Sequence, residues 1–152
     1  MVKEIFETLL EEAGKVLNIP DLHPDKNHSC LVRLPNGLNI QIEMDPYQQG
    51  IILGCDIGGL PAGKYRENVF REALKINGQK APHHGILAYS NKTEHMVLYE
   101  LLPLKDLTGE KIADAIAPFA EKALLWKEAL ARGETPVLSN IRTSGGMFGL
   151  RP

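Results

Sequence analysis

The stretch CLVRLPNGLNIQIEMD, residues 30–45, decides how the chain is built. Its Asn36-Gly37 pair lies between two apolar runs, and these residue types adopt the positive φ angles of a tight type I′ hairpin turn. On the second arm Leu38, Ile40, Ile42 and Met44 alternate with Asn39, Gln41 and Glu43, so a strand there buries one face and wets the other. The segment Pro46-Tyr47-Gln48-Gln49-Gly50 then turns the chain into IILGCDI, a third strand expected to pair antiparallel with the second. Connections this short leave no room for crossover helices, which makes the region an antiparallel meander and not part of a parallel sheet.

Before the meander, Ile5, Phe6, Leu9, Leu10, Ala13, Val16 and Leu17 recur at helical spacing, with Glu4, Glu7, Glu11 and Glu12 on the other side. Asn18-Ile19-Pro20 ends that amphipathic helix, because proline cannot continue the hydrogen-bond ladder. After the meander, Tyr65, Val69, Phe70, Ala73 and Leu74 mark a second helix from Ala62 or Gly63 to Ile76, closed by Asn77-Gly78 in a left-handed cap. GILAYS and HMVLYELL follow as two strands split by the polar turn Asn91-Lys92-Thr93-Glu94, a second hairpin. The last helix has Thr108 as N-cap and a Leu107–Ile112 staple, and its stripe runs through Ile116, Phe119, Ala123, Trp126 and Leu130. Pro118 predicts a kink, or a break into two helices near Ala117. The expectation is one α+β domain over residues 1–132, ordered α-β-β-β-α-β-β-α with a mainly antiparallel sheet flanked by helices. A Gly-rich tail spans residues 133–152.

Composition narrows the function. A net charge of -2 and a pI near 6.2 supply no basic footprint for nucleic acid. No apolar run approaches the roughly 18 residues of a membrane span, and the acids of MVKEIFETLLEEAGK do not suit a signal peptide, so a cytoplasmic location is expected. Cys30 and Cys55 form neither a disulfide framework nor a zinc pattern and read as buried strand residues. His83, His84 and His95, or His23 and His28, invite a metal reading. Adjacent histidines on a strand point to opposite faces, however, and no familiar ligand spacing completes a set, so no metal is expected. Ser29, Ser90, Ser139 and Ser144 lack a nucleophile-elbow context.

The stretch from Gly58 to Lys64, within DIGGLPAGKY, has the spacing G-x-x-x-x-G-K of a phosphate-binding loop. Tyr65 stands where that loop needs a short hydroxyl for magnesium, and the preceding strand ends an antiparallel meander instead of opening a parallel βαβ unit. Gly58, Gly59 and Pro61 read instead as the turn from strand to helix. What the sequence does offer in surplus is apolar surface. The first helix carries adjacent apolar pairs, Ile5-Phe6 and Leu9-Leu10, and Cys30-Leu31-Val32-Arg33-Leu34 would be an edge strand able to accept another.

The order of elements, with FETLLEEAGKVLNIP at the start, FREALKING in the second helix, HGILAY in the fourth strand and a last helix carrying Phe119 and Trp126, resembles the CesT/SycE-like class I chaperones of bacterial type III secretion. The likeness spans about residues 3–132, and its general look is closest to the chlamydial SycE-like chaperones. The mild acidity and the tail past Gly133 depart from the family's pattern. The resemblance implies a non-catalytic protein without cofactors. Its partners would be the N-terminal segment of a secreted effector, held extended, and a second copy (homodimer) or a related chaperone (heterodimer), with no nucleic acid and no membrane. It implies a dimer interface at Val69, Phe70, Leu74, Ile86, Leu87 and Tyr89. Phe6, Leu9, Leu10, Leu31, Val32, Leu34, Ile40 and Ile42 become candidates for the cargo grooves. The alternatives are a nucleotide-binding protein using Gly58–Lys64, and a dimeric adaptor outside secretion whose partners are folded.

Overall fold

The hairpin at residues 30–45 forms, though through a different turn. In the computed structural model, which describes residues 2–136, β1 (Ser29–Arg33) pairs antiparallel with β2 (Asn39–Met44), Val32 opposite Ile40 and Cys30 opposite Ile42. Gly37 alone of the central pair has positive φ, 90°, and its N–H donates to the Leu34 carbonyl (3.0 Å). Pro35 pre-sets the first corner of a type I turn, and Gly37 supplies the left-handed residue that rejoins the strands. The type I′ expectation failed because Pro35 draws the turn one residue earlier than Asn36-Gly37 alone would place it.

The remaining elements follow the predicted order: α1 (Val2–Leu17), β1, β2, β3 (Gly50–Gly59), α2 (Lys64–Asn77), β4 (Ile86–Ser90), β5 (His95–Pro103) and α3 (Gly109–Ala131). The strands form one antiparallel sheet in the order β1-β2-β3-β5-β4, so β1 and β4 are its edges. The period-2 pattern assigns one side of the sheet to the core. Val32, Ile40, Ile42, Ile51, Leu53, Ile57, Leu87, Met96 and Leu98 are buried on that side. There α3 packs on β3 and β5 and along α1, contributing Ile112, Ile116, Phe119, Ala123 and Trp126 at intervals of three or four residues. From α1 come Phe6, Leu9, Leu10 and Ala13, and α2 packs beside β4 with Val69, Ala73 and Ile76 inward.

One helix end differs from expectation, and of the two readings of Pro118 the break does not occur. Gly78 has φ −80°, a right-handed value, and its N–H donates to the Leu74 carbonyl (3.0 Å), so α2 ends without a left-handed cap. Pro118 lies inside one continuous helix. The single bond that proline removes would go to the carbonyl of Asp114, an exposed residue whose carbonyl is open to solvent, so the loss is cheap there. The N-terminus of α3 is as read: Thr108 accepts the Lys111 N–H on its hydroxyl (3.1 Å), and Leu107 packs against the core. At the other end Gly133, φ 70°, closes the helix by a Schellman arrangement, with its N–H on Leu130 and that of Glu134 on Ala129. The first residues of the predicted tail are therefore held in place: the Tyr65 hydroxyl donates to the Glu134 carbonyl (2.6 Å), and Pro136 is buried. The rest of that tail, 137–152, lies outside the described residues.

The tightest junction is that of α1 with α3. Gly109 sits against the backbone of Glu12 and Ala13, and its N–H donates to the Glu12 carboxylate (3.2 Å). A Cβ at position 109 would fall 2.6 Å from the Ala13 nitrogen and closer still to Glu12 Cβ, contacts no rotamer relieves. Gly109→Ala is expected to destabilise the protein by about 1–3 kcal/mol, the usual cost of overpacking, read as a lowered midpoint in urea unfolding with an unchanged slope.

Candidate partner-binding surfaces

The phosphate-loop spacing is not a nucleotide site. Both neighbours of β3 run antiparallel to it, so no βαβ unit surrounds Gly58–Lys64. Lys64 points into solvent and pairs with Glu67 one turn along α2 (3.5 Å). Gly58 (φ 141°) and Gly63 (φ 145°) take backbone conformations of the strand-to-helix turn that L side chains strain to adopt. Three of the five histidines hold protein partners: His83 the Gln79 carbonyl, His23 the Asp21 carbonyl, and His95 Nδ1 both Asp56 carboxylate oxygens (2.8 and 2.9 Å). Among the described residues no group of three or more His, Cys, Asp or Glu is placed to hold a metal ion. Both cysteines are free and buried in strands, and burial raises both thiol pKa values.

Of the eight groove candidates, six are core. Phe6, Leu9, Leu10, Val32, Ile40 and Ile42 are at most 6% exposed, so no partner reaches them in the folded chain. Their periodicity is that of the inner face, and periodicity alone cannot separate a core face from a groove. Leu34 is half-buried against the core, and Leu31 is 48% exposed. The surplus of α1 reaches solvent through Ile5 and Val16 instead.

Leu31 belongs to a larger surface. Cross-strand partners share a face, so Leu31, Gln41, Gly54, Tyr99 and Ile86 form a row across the side of the sheet opposite α1 and α3. A second row joins Glu43, Ile52 and Leu101. Tyr99 and Leu101 are exposed, and Ile52, Val97 and Ile86 half-buried. Tyr99 and Leu101 were not among the expected surface residues, although HMVLYELL carries apolar residues at both parities, the signature of a strand apolar on both faces.

The sheet's two edges differ in what they offer. On β1 the bond from Leu34 N–H to Leu38 O sets the alternation, so Cys30 and Val32 face β2 while the backbone groups of Ser29, Leu31 and Arg33 face outward. Asp25 closes the Ser29 position: its N–H donates to the Ser29 carbonyl (2.8 Å), and its carboxylate accepts the Ser29 N–H (3.1 Å). Leu31 and Arg33 remain as an open edge. On β4 the Asn77 amide does what a neighbouring strand would do, donating to the Leu87 carbonyl (2.8 Å) and accepting the Leu87 N–H (3.0 Å). Beside it, Phe70, Ala73, Leu74, Leu87, Tyr89 and Met96 line an apolar depression of about 220 Å³. Of the six predicted interface residues, Val69 and Leu87 are buried, Phe70, Ile86 and Tyr89 half-buried, and Leu74 is 72% exposed. Phe70, Leu74, Leu87 and Tyr89 come together there, whereas Ile86 faces the opposite side of the sheet and Val69 points inward.

The profile described as the Tir chaperone protein (CesT) family matches residues 8–127. The chain belongs to that family. Solved structures share its fold at low identity. A chain of the HopA1–SchA chaperone–effector complex is 18% identical with a TM-score of 0.67, covering 84% of this chain and 96% of that one. A chain from the Yersinia pestis type III secretion chaperone SycH in complex with a fragment of YscM2 is 15% identical with a TM-score of 0.61, covering 80% and 98%. A chain from the ExoU–SpcU heterodimeric complex of the Pseudomonas aeruginosa type III secretion system is 16% identical with a TM-score of 0.56, covering 86% and 98%. No curated protein compared with the chain matches it.

In this CesT-family chain the loop before β4 is held by one charged side chain. Lys122 of α3 donates to the carbonyls of His83 (2.9 Å) and Gly85 (2.7 Å), pinning the segment that leads into the edge strand. Burial pushes its pKa down to about 8, partly offset by the nearby Glu100 carboxyl, which burial in turn raises above the usual carboxylate value. A lysine whose folded pKa is depressed binds its proton less tightly than in the unfolded chain. Its burden on stability is therefore full below pH 8 and is relieved as the pH climbs from about 8 toward 10.5. Cys30 and Cys55 act in the opposite sense near pH 9, so the informative quantity is a difference between proteins that share them. Between pH 7.5 and 9.5 (roughly the window set by the folded and unfolded lysine values) the wild type is expected to gain stability relative to Lys122→Met, measured by urea unfolding at each pH. A flat difference would show that Lys122 keeps an ordinary pKa.

Proposed function

We propose that this chain is a cytoplasmic, non-catalytic chaperone of bacterial type III secretion. It would hold the N-terminal segment of an effector in extended form and work as a homodimer or paired with a related chain. The observation that carries this reading is the open edge of β1. Leu31 and Arg33 present unpaired backbone donors and acceptors beside an exposed leucine, which is what an extended segment needs to add itself as a strand. Family membership, the chaperone–effector character of the HopA1–SchA complex and the binding of a YscM2 fragment by the type III secretion chaperone SycH support it.

The groove surface accordingly centres on Leu31 at the β1 edge, with Tyr99 and Leu101 on the same side of the sheet, and Leu34 and Ile5 on the helix-covered side where alternate residues of an added strand would point. An extended cargo gains backbone hydrogen bonds and apolar anchors but loses chain entropy, so it needs a long contact for modest affinity. Holding of this kind consumes no nucleotide. The apolar depression beside β4, with Phe70, Leu74, Leu87 and Tyr89, is the surface for self-association. The domain that performs the task is residues 1–132, and the tail from 133 extends it.

Affinity purification of the tagged protein from its bacterium, with mass spectrometry and limited proteolysis of what co-purifies, is expected to yield an effector protected along an extended N-terminal segment. Recovery of folded partners alone would favour the adaptor reading. With the effector in hand, Leu31→Glu should weaken capture roughly tenfold or more, the scale of one lost leucine anchor, while circular dichroism stays native. Leu10→Glu, by contrast, buries a charge in the core and should abolish the folded signal along with binding.

A further inference from the structure

Arg66 stands at the rim of the β4 depression, half-buried on the first turns of α2. Its guanidinium carbon lies 5.3 Å from the Tyr89 ring centroid and 5.9 Å from that of Phe70, and the two rings meet edge to face at 5.1 Å. Nη1 donates to the Tyr89 hydroxyl (2.8 Å). That uses one of the five N–H donors of a planar fork and locks its orientation. The lysines of the same helix have acids of their own, Lys64 with Glu67 and Lys75 with Glu72. Among the described residues no carboxylate pairs with Arg66.

An aromatic-held guanidinium without a counter-charge is comfortable in water and costly under a partner. Covering Phe70, Leu74 and Tyr89 would strip water from Arg66 too, and an uncompensated charge at a buried interface opposes association. A carboxylate arriving with the partner removes that penalty and finds the fork already oriented. The same helix carries such a group in Glu67, whose side chain is 67% exposed and whose only described ion pair is to an exposed lysine. In a two-fold assembly each contact occurs twice, so one helix bearing both signs is complementary to its own copy.

We propose that Arg66 is a pre-oriented receptor for a carboxylate of a second copy of this chain, and that it sets which chain this patch accepts. This rests on the self-association reading above. The test is sedimentation-equilibrium measurement of the dimer constant for wild type, Arg66→Gln, Arg66→Lys and Tyr89→Phe at low and high salt. Arg66→Gln should weaken the dimer roughly tenfold or more and flatten its salt dependence. Arg66→Lys should fail to restore it, because an ammonium offers no fork, and Tyr89→Phe should give an intermediate loss with native circular dichroism. A wild-type dimer that Arg66→Gln leaves unchanged overturns this inference and spares the self-association reading; a wild type that stays monomeric overturns both. Loss of effector capture with the dimer intact would assign the fork to cargo and likewise overturn the second-copy receptor.

Discussion

Everything in this fold depends on the contact of α3 with the inner face of the sheet. The stripe from Ile112 to Trp126 covers Leu53, Ile57 and Leu98, and α1 completes the cover only because Gly109 lets it approach. Two helices committed to one face leave the other face of the central strands with Ile52, Tyr99 and Leu101 half-buried or exposed. A single-layer cover on a sheet that is apolar on both sides is a structure with a surface left over, and that surplus separates a binding protein from a merely stable one.

Most of the architecture was legible because it rests on local patterns. The period-2 alternation of β2 and the 3.6-period stripe of α3 each specify an element without help from the rest of the chain. Turns and caps were less legible where two local rules compete: Pro35 overrode the Asn36-Gly37 signal, and the strand-like bond of Asn77 to Leu87 replaced the expected left-handed cap at Gly78. The candidate surfaces were legible only in part. Phe6, Leu10, Val32 and Ile40 have the same periodicity as a groove would, and which side of a sheet receives the helices is decided by long-range packing. Arg66 and Asn77 act through residues more than ten positions away or across an element boundary, and single-sequence patterns carry no trace of such pairings.

The two sheet edges show how one amide changes what a surface can do. At β1 the loop residue Asp25 occupies one position and stops, leaving Leu31 and Arg33 free. At β4 a helix side chain is bonded to both backbone groups of Leu87, and Lys122 fastens the loop that precedes it. Backbone polarity is thus more available along β1 than along β4, where a side chain occupies the Leu87 position and apolar side chains surround it.

That asymmetry bears on solubility as well as on recognition. A sheet open at both ends can join its copies head to tail, each β1 seating on the next β4, and such a heterologous contact propagates into filaments without limit. With Asn77 seated on Leu87, one of the outward positions of β4 is already taken, and Tyr89 is left as the outward position beside it. A strand added at β1 therefore faces, on the next copy, a β4 edge cut down to the Tyr89 position, which offers too few backbone partners for the pairing to be passed on readily. Asn77 in this sense narrows the route to edge-to-edge polymerisation on the β4 side, while at β1 Leu31 and Arg33 stay outward.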